Sequence, residues 1–219
     1  MSQIKNMYST VIIIGFLSLL FSSCNKQEAL PYFLISNDFA RYCKFDEGSS
    51  WVFQNDSTLV TDSINISEIK ESRRFQPDPI KHQYQATDMF MSDNVFQIAR
   101  YEITAGDYTP ESGEMNSLFR IYFEDGKYQI AFSPQFPIGE DIIMGDEIGV
   151  YKNVEIIADY QLNGNTYKDV WHTNVIVSVN NNIEYDYWIA KNYGLIKTVI
   201  TNDGTTISSS LKSASLIQN

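Results

Sequence analysis

From Tyr42 onward, apolar and polar residues alternate with a period of two, and short polar turns cut the alternation into runs. Successive side chains of a strand point to opposite faces, so this pattern dictates half-buried strands; an amphipathic helix would repeat every 3.6 residues. The clearest run sets Phe119, Ile121 and Phe123 against Arg120 and Glu124. Asp125-Gly126 follows, and Tyr128, Ile130 and Phe132 resume the alternation. An Asp-Gly or Asn-Gly pair between two such runs predicts a tight hairpin, because these residues accept positive φ. Asn163-Gly164 and Asp203-Gly204 predict two more, joining 156–162 to a strand from Tyr167, and 196–201 to 205–211. Between them, Trp171, Thr173, Val175 and Val177 alternate with His172, Asn174 and Ile176. After the turn Asn180-Asn181-Asn182, Ile183, Tyr185, Tyr187 and Ile189 alternate with Glu184, Asp186 and Trp188. Residues 63–72, 83–91 and 96–104 also read as strands, broken at Pro77-Asp78-Pro79 and Ser92-Asp93-Asn94. Roughly nine to eleven strands in consecutive hairpins predict an all-β fold: a single antiparallel meander forming a strongly curved sheet or half-open barrel, with little helix. Aromatic residues make up 14% of the chain, which suits strands better than helices.

The first residues read differently. Met1 to Tyr8 carry one charge, Lys5; Val11 to Phe21 are apolar; Ser22 and Ser23 precede Cys24. This is the layout of a secretory signal, with an apolar stretch inside the usual window of about 7–15 residues and small residues before the cut. A cysteine at the cut resembles a bacterial lipoprotein signal, which implies that Cys24 is lipidated and becomes the mature N-terminus. Phe21 stands where such signals usually carry Leu, and Leu20 lies one place further back. An ordinary cleaved signal with a chance cysteine is the alternative. A transmembrane anchor needs about 20 apolar residues, and this run ends sooner. One acyl chain holds a protein marginally and two or more hold it stably, so a lipoprotein's Cys24 would fix the chain to a membrane. The expected division is a signal peptide over 1–23, a lipidated tether over 24–37 and one β half-barrel domain over 38–219. The apolar stretch from Tyr32 to Ile35 predicts that part of the tether docks.

Charge and cysteine content narrow the function. The formal net charge is −11, and removing 1–23 takes only Lys5 with it, leaving −12. Nucleic acid binding needs a basic footprint, and none is present. The overall charge also gives no attraction to an anionic bilayer, so the lipid must do the holding. With Cys24 as the lipid site, Cys43 has no intramolecular disulfide partner, and stability must come from a packed core.

Two segments carry a family resemblance. Tyr42-Cys-Lys-Phe-Asp-Glu-Gly48-Ser-Ser-Trp51-Val-Phe53 resembles the opening of many Bacteroidota-type outer-membrane lipoproteins: an aromatic strand, a Gly turn and a Trp-x-aromatic strand. Asn165-Thr-Tyr167-Lys-Asp169-Val170, then Tyr187-Trp-Ile-Ala-Lys191-Asn-Tyr193-Gly194-Leu195-Ile196-Lys197, is similar to their ending. The resemblance covers about a third of the chain. It implies a half-barrel akin to the lipoprotein-localisation factors and an outer-membrane location, and it carries no catalytic residue. The residues after Cys24, Asn-Lys-Gln-Glu, leave the periplasmic face and the cell surface both open. Gly194, a lone glycine in a strand, marks a bulge or sharp bend.

No enzyme is expected. Cys43, between Arg41 and Lys44, would be a nucleophile only with a lowered pKa and a base such as His82 or His172; the plainer reading is a small core residue of the first strand. Two isolated histidines do not make a zinc site, and His172, opposite Trp171 in the alternation, reads as a surface residue. Adjacent acids, Asp46-Glu47, Glu124-Asp125, Glu140-Asp141 and Asp146-Glu147, point to opposite faces of a strand or sit in solvated turns. No cofactor or metal is called for.

Binding is the expectation that survives. A curved sheet would place Trp171, Val175, Val177, Tyr185 and Tyr187 around a pocket for an apolar small molecule, as the localisation-factor resemblance implies; the same residues would equally fill a dry core. Tyr151, Trp188 and Tyr193 are candidate surface aromatics for a glycan or protein partner. A structural accessory of an envelope protein complex is the third reading.

Overall fold

The structure is a computed structural model that describes residues 29–77, 79–92, 96–109, 114–144, 149–177 and 183–218. The predicted signal and Cys24 lie outside the described residues, as do the turn Asn180-Asn181-Asn182 and the acids Asp146-Glu147. The compact unit is Pro31–Asn219.

Among the described residues, thirteen strands make one sheet. They are β1 (Tyr32–Phe33), β2 (Ser50–Asn55), β3 (Thr61–Gln76), β4 (His82–Ser92), β5 (Ile98–Thr109), β6 (Glu114–Phe123) and β7 (Tyr128–Phe132), then β8 (Ile142–Ile143), β9 (Val150–Leu162), β10 (Asn165–Val177), β11 (Ile183–Ala190), β12 (Gly194–Asn202) and β13 (Thr205–Ser215). A short helix, α1 (Asn37–Cys43), precedes β2, the one helix among the described residues. The all-β reading holds, with more strands than the sequence count because β1 and β8 are two residues each.

The predicted turns form for the reason given. Asn163 and Gly164 have φ of 49° and 79°, and Asp203 and Gly204 have 47° and 78°, so both central residues of each two-residue hairpin are left-handed. Asp125-Gly126 lies in a four-residue loop that Phe123 N–H closes on the Lys127 carbonyl at 2.9 Å.

Hairpin succession holds within each half of the sheet and fails between them. The hydrogen-bonded order is β7-β6-β5-β4-β3-β2-β13-β12-β11-β10-β9-β8. Two meanders are therefore joined where β13 pairs β2, and the step from β7 to β8 runs from one edge to the other. The order is a circular succession, open between β7 and β8. β1 stands off this path and pairs β4 in parallel, Tyr32 opposite Gln83 and Phe33 opposite Tyr84. This pairing is the docking expected of the stretch from Tyr32 to Ile35.

Across the open side the halves meet through side chains. Thr173 of β10 donates to the Ala131 carbonyl of β7 at 2.6 Å, and Phe132 packs on Trp171 with centroids 5.2 Å apart. Between the halves lies one apolar cluster that includes Trp51, Ile64, Met89, Ile121, Val175 and Ile189.

The first strand of the resembled motif is corrected to a helix. Ser36 caps it, its hydroxyl accepting from Phe39 N–H at 3.2 Å, and Asp38 and Arg41 lie in the first and last turns, where the helix dipole favours them. Phe39 and Cys43, four residues apart, are buried on one helix face, so Cys43 is the core residue expected, on a helix instead of a strand. Gly194 is the bend expected: its φ is 73°, and a Cβ there would lie 2.9 Å from the Phe45 ring.

Candidate functional site

An apolar cavity of about 40 Å³ lies between the two halves, lined by eleven residues of β2, β3, β5, β6, β11 and β12 and the turn before β5. Alternation places them. Ile121 and Phe123 share the inner face of β6, and Tyr185 and Tyr187 that of β11. Register then puts Tyr185 beside Ile200 and Tyr187 beside Thr198, two rows of one wall. Phe53 and Phe96 meet edge-to-face at 5.7 Å; Phe123 and Tyr185 approach to 6.4 Å across the gap between halves. Phe96, Phe123 and Tyr185 are half-buried and form the outer rim, while Phe53, Ile64, Ile121 and Tyr187 are buried.

Polar groups are few. The Tyr187 hydroxyl donates to Gln129 Oε1 of β7, and burial pushes its pKa well up, so it stays a protonated donor. A water needs about 10–15 Å³ and two to four polar partners, so the cavity has room for about three waters and little to bind them. It suits apolar matter, and a long chain enters only if the rim side chains part.

The structure divides the predicted pocket. Tyr185 and Tyr187 line the cavity; Trp171, Val175 and Val177 do not. Trp171 packs on Phe132, which in turn touches Phe39 and Tyr42 of α1, at the helix end of the interior. Val175 is fully buried and Val177 half-buried.

The predicted surface aromatics also separate. Tyr151 is corrected: it is fully buried, its hydroxyl accepting from Ser133 N–H at 3.1 Å and donating to Asn153 Oδ1. Asn153, itself buried, in turn donates to the Ser133 and Phe136 carbonyls. Trp188 is half-buried, with His172 stacked on it at 4.2 Å and 7° and the Lys197 ammonium 4.8 Å from its centroid. These are its cross-strand neighbours on β10 and β12. Tyr193 is exposed and edge-on to Tyr167 at 4.9 Å.

Of the reactive candidates, Cys43 donates its thiol to the Phe39 carbonyl at 3.3 Å, and burial pushes its pKa well up, away from a thiolate. His82 is buried with its ring nitrogens against the Ile80 and Gly106 carbonyls. His172 is partly buried and bonds Asp186 at 2.8 Å, more enclosed than a free surface residue.

A second constellation escaped the sequence reading. Three of the five arginines, Arg74, Arg100 and Arg120, converge on Glu102 on the outward face of β3 to β6. Glu102 is 1% exposed, with Arg74 at 2.7 Å, Arg120 at 2.8 Å and Arg100 at 3.7 Å. Asp88 holds Arg74 at 2.9 Å, Asp107 holds Arg120, and Arg100 lies 3.9 Å over the Tyr122 ring. Burial alone would raise the Glu102 carboxyl; Arg120 and Arg74 outweigh it and hold it below its ordinary value. Three cations face three anions, so the cluster is neutral, although Asp88 Oδ1, Arg100 Nε and Arg120 Nε are buried without a hydrogen bond among the described residues.

The fold and site define an all-β protein made of one open sheet with an apolar cavity between its halves. No family model matches the chain, and no curated protein matches it. Among solved structures, a candidate lipoprotein of Parabacteroides distasonis ATCC 8503 is similar at 13% identity and a TM-score of 0.39, over 79% of this chain and 99% of that one.

Proposed function

We propose that this chain is a lipid-anchored, non-catalytic protein of the bacterial outer membrane, held through Cys24, whose sheet acts as a half-open barrel that takes an apolar ligand between its halves. The observation that carries the reading is the cavity rimmed by Phe96, Phe123 and Tyr185, on whose open side β7 and β10 meet without strand pairing. Largely apolar walls, with the hydroxyl-bearing residues Tyr185, Tyr187 and Thr198 among eleven, are the chemistry of a lipid or other apolar molecule. The test is native mass spectrometry of the protein purified gently from the envelope, beside the Ile121→Trp variant, whose indole fills the cavity. An adduct of lipid mass on the wild type that the variant lacks supports the reading. A bare polypeptide mass in repeated preparations overturns it.

A second reading, an accessory to an envelope complex, is favoured by the outer edge of β9. Beyond Asn153 this strand pairs only β10 among the described residues, which leaves the edge of 154–162 open to a partner strand. Pull-down from envelope extract with and without Asp159→Pro tests it, since alternation from the hydrogen-bonded pair Leu162–Asn165 points the Asp159 N–H away from β10. Equal capture by both proteins sinks the idea.

A further inference from the structure

The end of the sheet where the chain enters, β1 with the β3–β4 tip, carries apolar side chains the core does not use. Tyr32, Leu34, Phe75 and Ile80 are 41%, 63%, 51% and 51% exposed. Register shows that two of them form a row: Tyr32 stands opposite Gln83, and Gln83 opposite Phe75, on one face. The Arg73 guanidinium lies 4.1 Å over the Tyr32 ring on that same face. Charge follows the same geography. In a chain of net charge −11, residues 72–83 hold Arg73, Arg74 and Lys81 against the single acid Asp78. Arg74 is tied into the Glu102 cluster, which leaves Arg73 and Lys81 to face solvent. Aromatic rings, aliphatic side chains and cations together are what seats a protein at a bilayer interface, where rings sit among headgroups and long cationic side chains reach the phosphates.

The tether decides which occupant this surface meets. Gln83 N–H donates to the Pro31 carbonyl at 2.8 Å, so the chain is fixed to the sheet from Pro31 onward. From Cys24 to Pro31 is seven residues, on the order of 25 Å when fully extended at 3.3–3.6 Å each. β3 has sixteen residues, about 50 Å at 3.2–3.4 Å each, so its far end by Val60 lies about twice a tether length from the tip. An anchor at Cys24 therefore keeps this end, and not the other, at the membrane.

We infer that the exposed face of Tyr32, Leu34, Phe75 and Ile80, with Arg73 and Lys81, rests on the bilayer surface and fixes how the protein stands on the membrane. The inference rests on lipidation at Cys24. It also refines the charge argument: the molecule as a whole is repelled by an anionic leaflet, while this one end is attracted.

The test uses the full lipidated protein in phosphatidylcholine–phosphatidylglycerol vesicles carrying a spin-labelled lipid quencher. Cys43 is 1% exposed and Cys24 is acylated, so one added cysteine takes a thiol-reactive environment-sensitive dye alone. Phe75→Cys and Ile80→Cys report on the tip, and Val60→Cys, 62% exposed at the far end of β3, is the control. All three positions are exposed, so the fold tolerates them, which circular dichroism checks. The expected result is a blue shift and quenching at 75 and 80 and neither at 60, with Arg73→Glu/Lys81→Glu reducing the quenching. Equal quenching at all three sites overturns the inference, as does none at any site on a protein that still floats with the vesicles. A blue shift at 80 without lipid quenching reports a protein cover and overturns it too. A protein that does not float refutes the anchor itself, and the inference with it.

Discussion

Glu102→Gln isolates what the outward cluster contributes. The substitution keeps shape and one acceptor but removes the charge that Arg74, Arg100 and Arg120 share, and it turns amide hydrogens toward guanidinium groups. Removing one partner of a buried ion pair costs about 3–5 kcal/mol. Arg74 and Arg100 are about a third exposed and keep Asp88 nearby, so solvent screening brings their share toward the near-zero value of surface pairs. Arg120 is 12% exposed and retains Asp107, so its contact with Glu102 dominates and the total falls at the low end, about 3 kcal/mol. For a domain of this size each kcal/mol moves Tm by about 2–4 °C, so the variant should melt about 6–12 °C lower. Urea denaturation at pH 7, followed by the fluorescence of the three tryptophans, measures the loss directly. The pH dependence adds a signature that packing damage would lack. The folded Glu102 carboxyl lies below its ordinary value of 4.5, so its contribution is complete above that pH and disappears as pH falls through the folded value. The gap between wild type and variant should stay constant from pH 7 to about pH 5 and narrow below. A loss under about 0.5 kcal/mol at pH 7, the ordinary range of a surface substitution, would refute the reasoning, and so would a gap that persists in acid.

Two further substitutions probe the frame of the site. Gly194→Ala puts a Cβ at φ 73° and 2.9 Å from the Phe45 ring, and it should cost about 2 kcal/mol or more by denaturant titration; a change within error would mean that neither the bend nor the close approach is needed. Tyr151→Phe strips the partner from Ser133 N–H and from Asn153 Oδ1, both buried, and should cost about 2 kcal/mol; a neutral result would restore Tyr151 as the surface aromatic that sequence suggests.

What was legible in the sequence was local. Asn163-Gly164 names its own turn, because the preference for positive φ resides in those two residues. Alternation along β11 put Tyr185 and Tyr187 on one face without reference to anything else. What they face was not legible. Ile121 and Phe123 lie more than sixty positions away, and they meet β11 only because β13 pairs β2 and turns the two meanders toward each other. Trp171 and Val175 follow the same alternation, and their place along the interior depends on which strand of the other half lies across from them. The Glu102 cluster failed to show for a related reason: Arg120 is opposite Glu102 only in one register, and a slip of one residue would scatter the set. Helix α1 was missed because Phe39 and Cys43 sit in a stretch too short for a helical period to declare itself, and Ser36 as its cap has meaning only once the helix exists.

The open side between β7 and β8 sets the energetic terms on which the cavity can work. Enlarging it separates the halves and breaks the bonds that cross between them: Thr173 to Ala131, Tyr187 to Gln129, Ser133 to Tyr151, and Asn153 to Ser133 and Phe136. Each is worth about 0.5–1.5 kcal/mol net, so opening costs about 5 kcal/mol before any side-chain rearrangement. A buried methylene returns about 0.8 kcal/mol, so the first six or so methylenes of an entering chain only offset that cost. A ligand of a few carbons therefore gains nothing by entering, whereas an acyl tail several times longer has a surplus with which to stay. If the cavity takes an apolar ligand as proposed, the same hydrogen bonds would select against small apolar solutes and in favour of long ones.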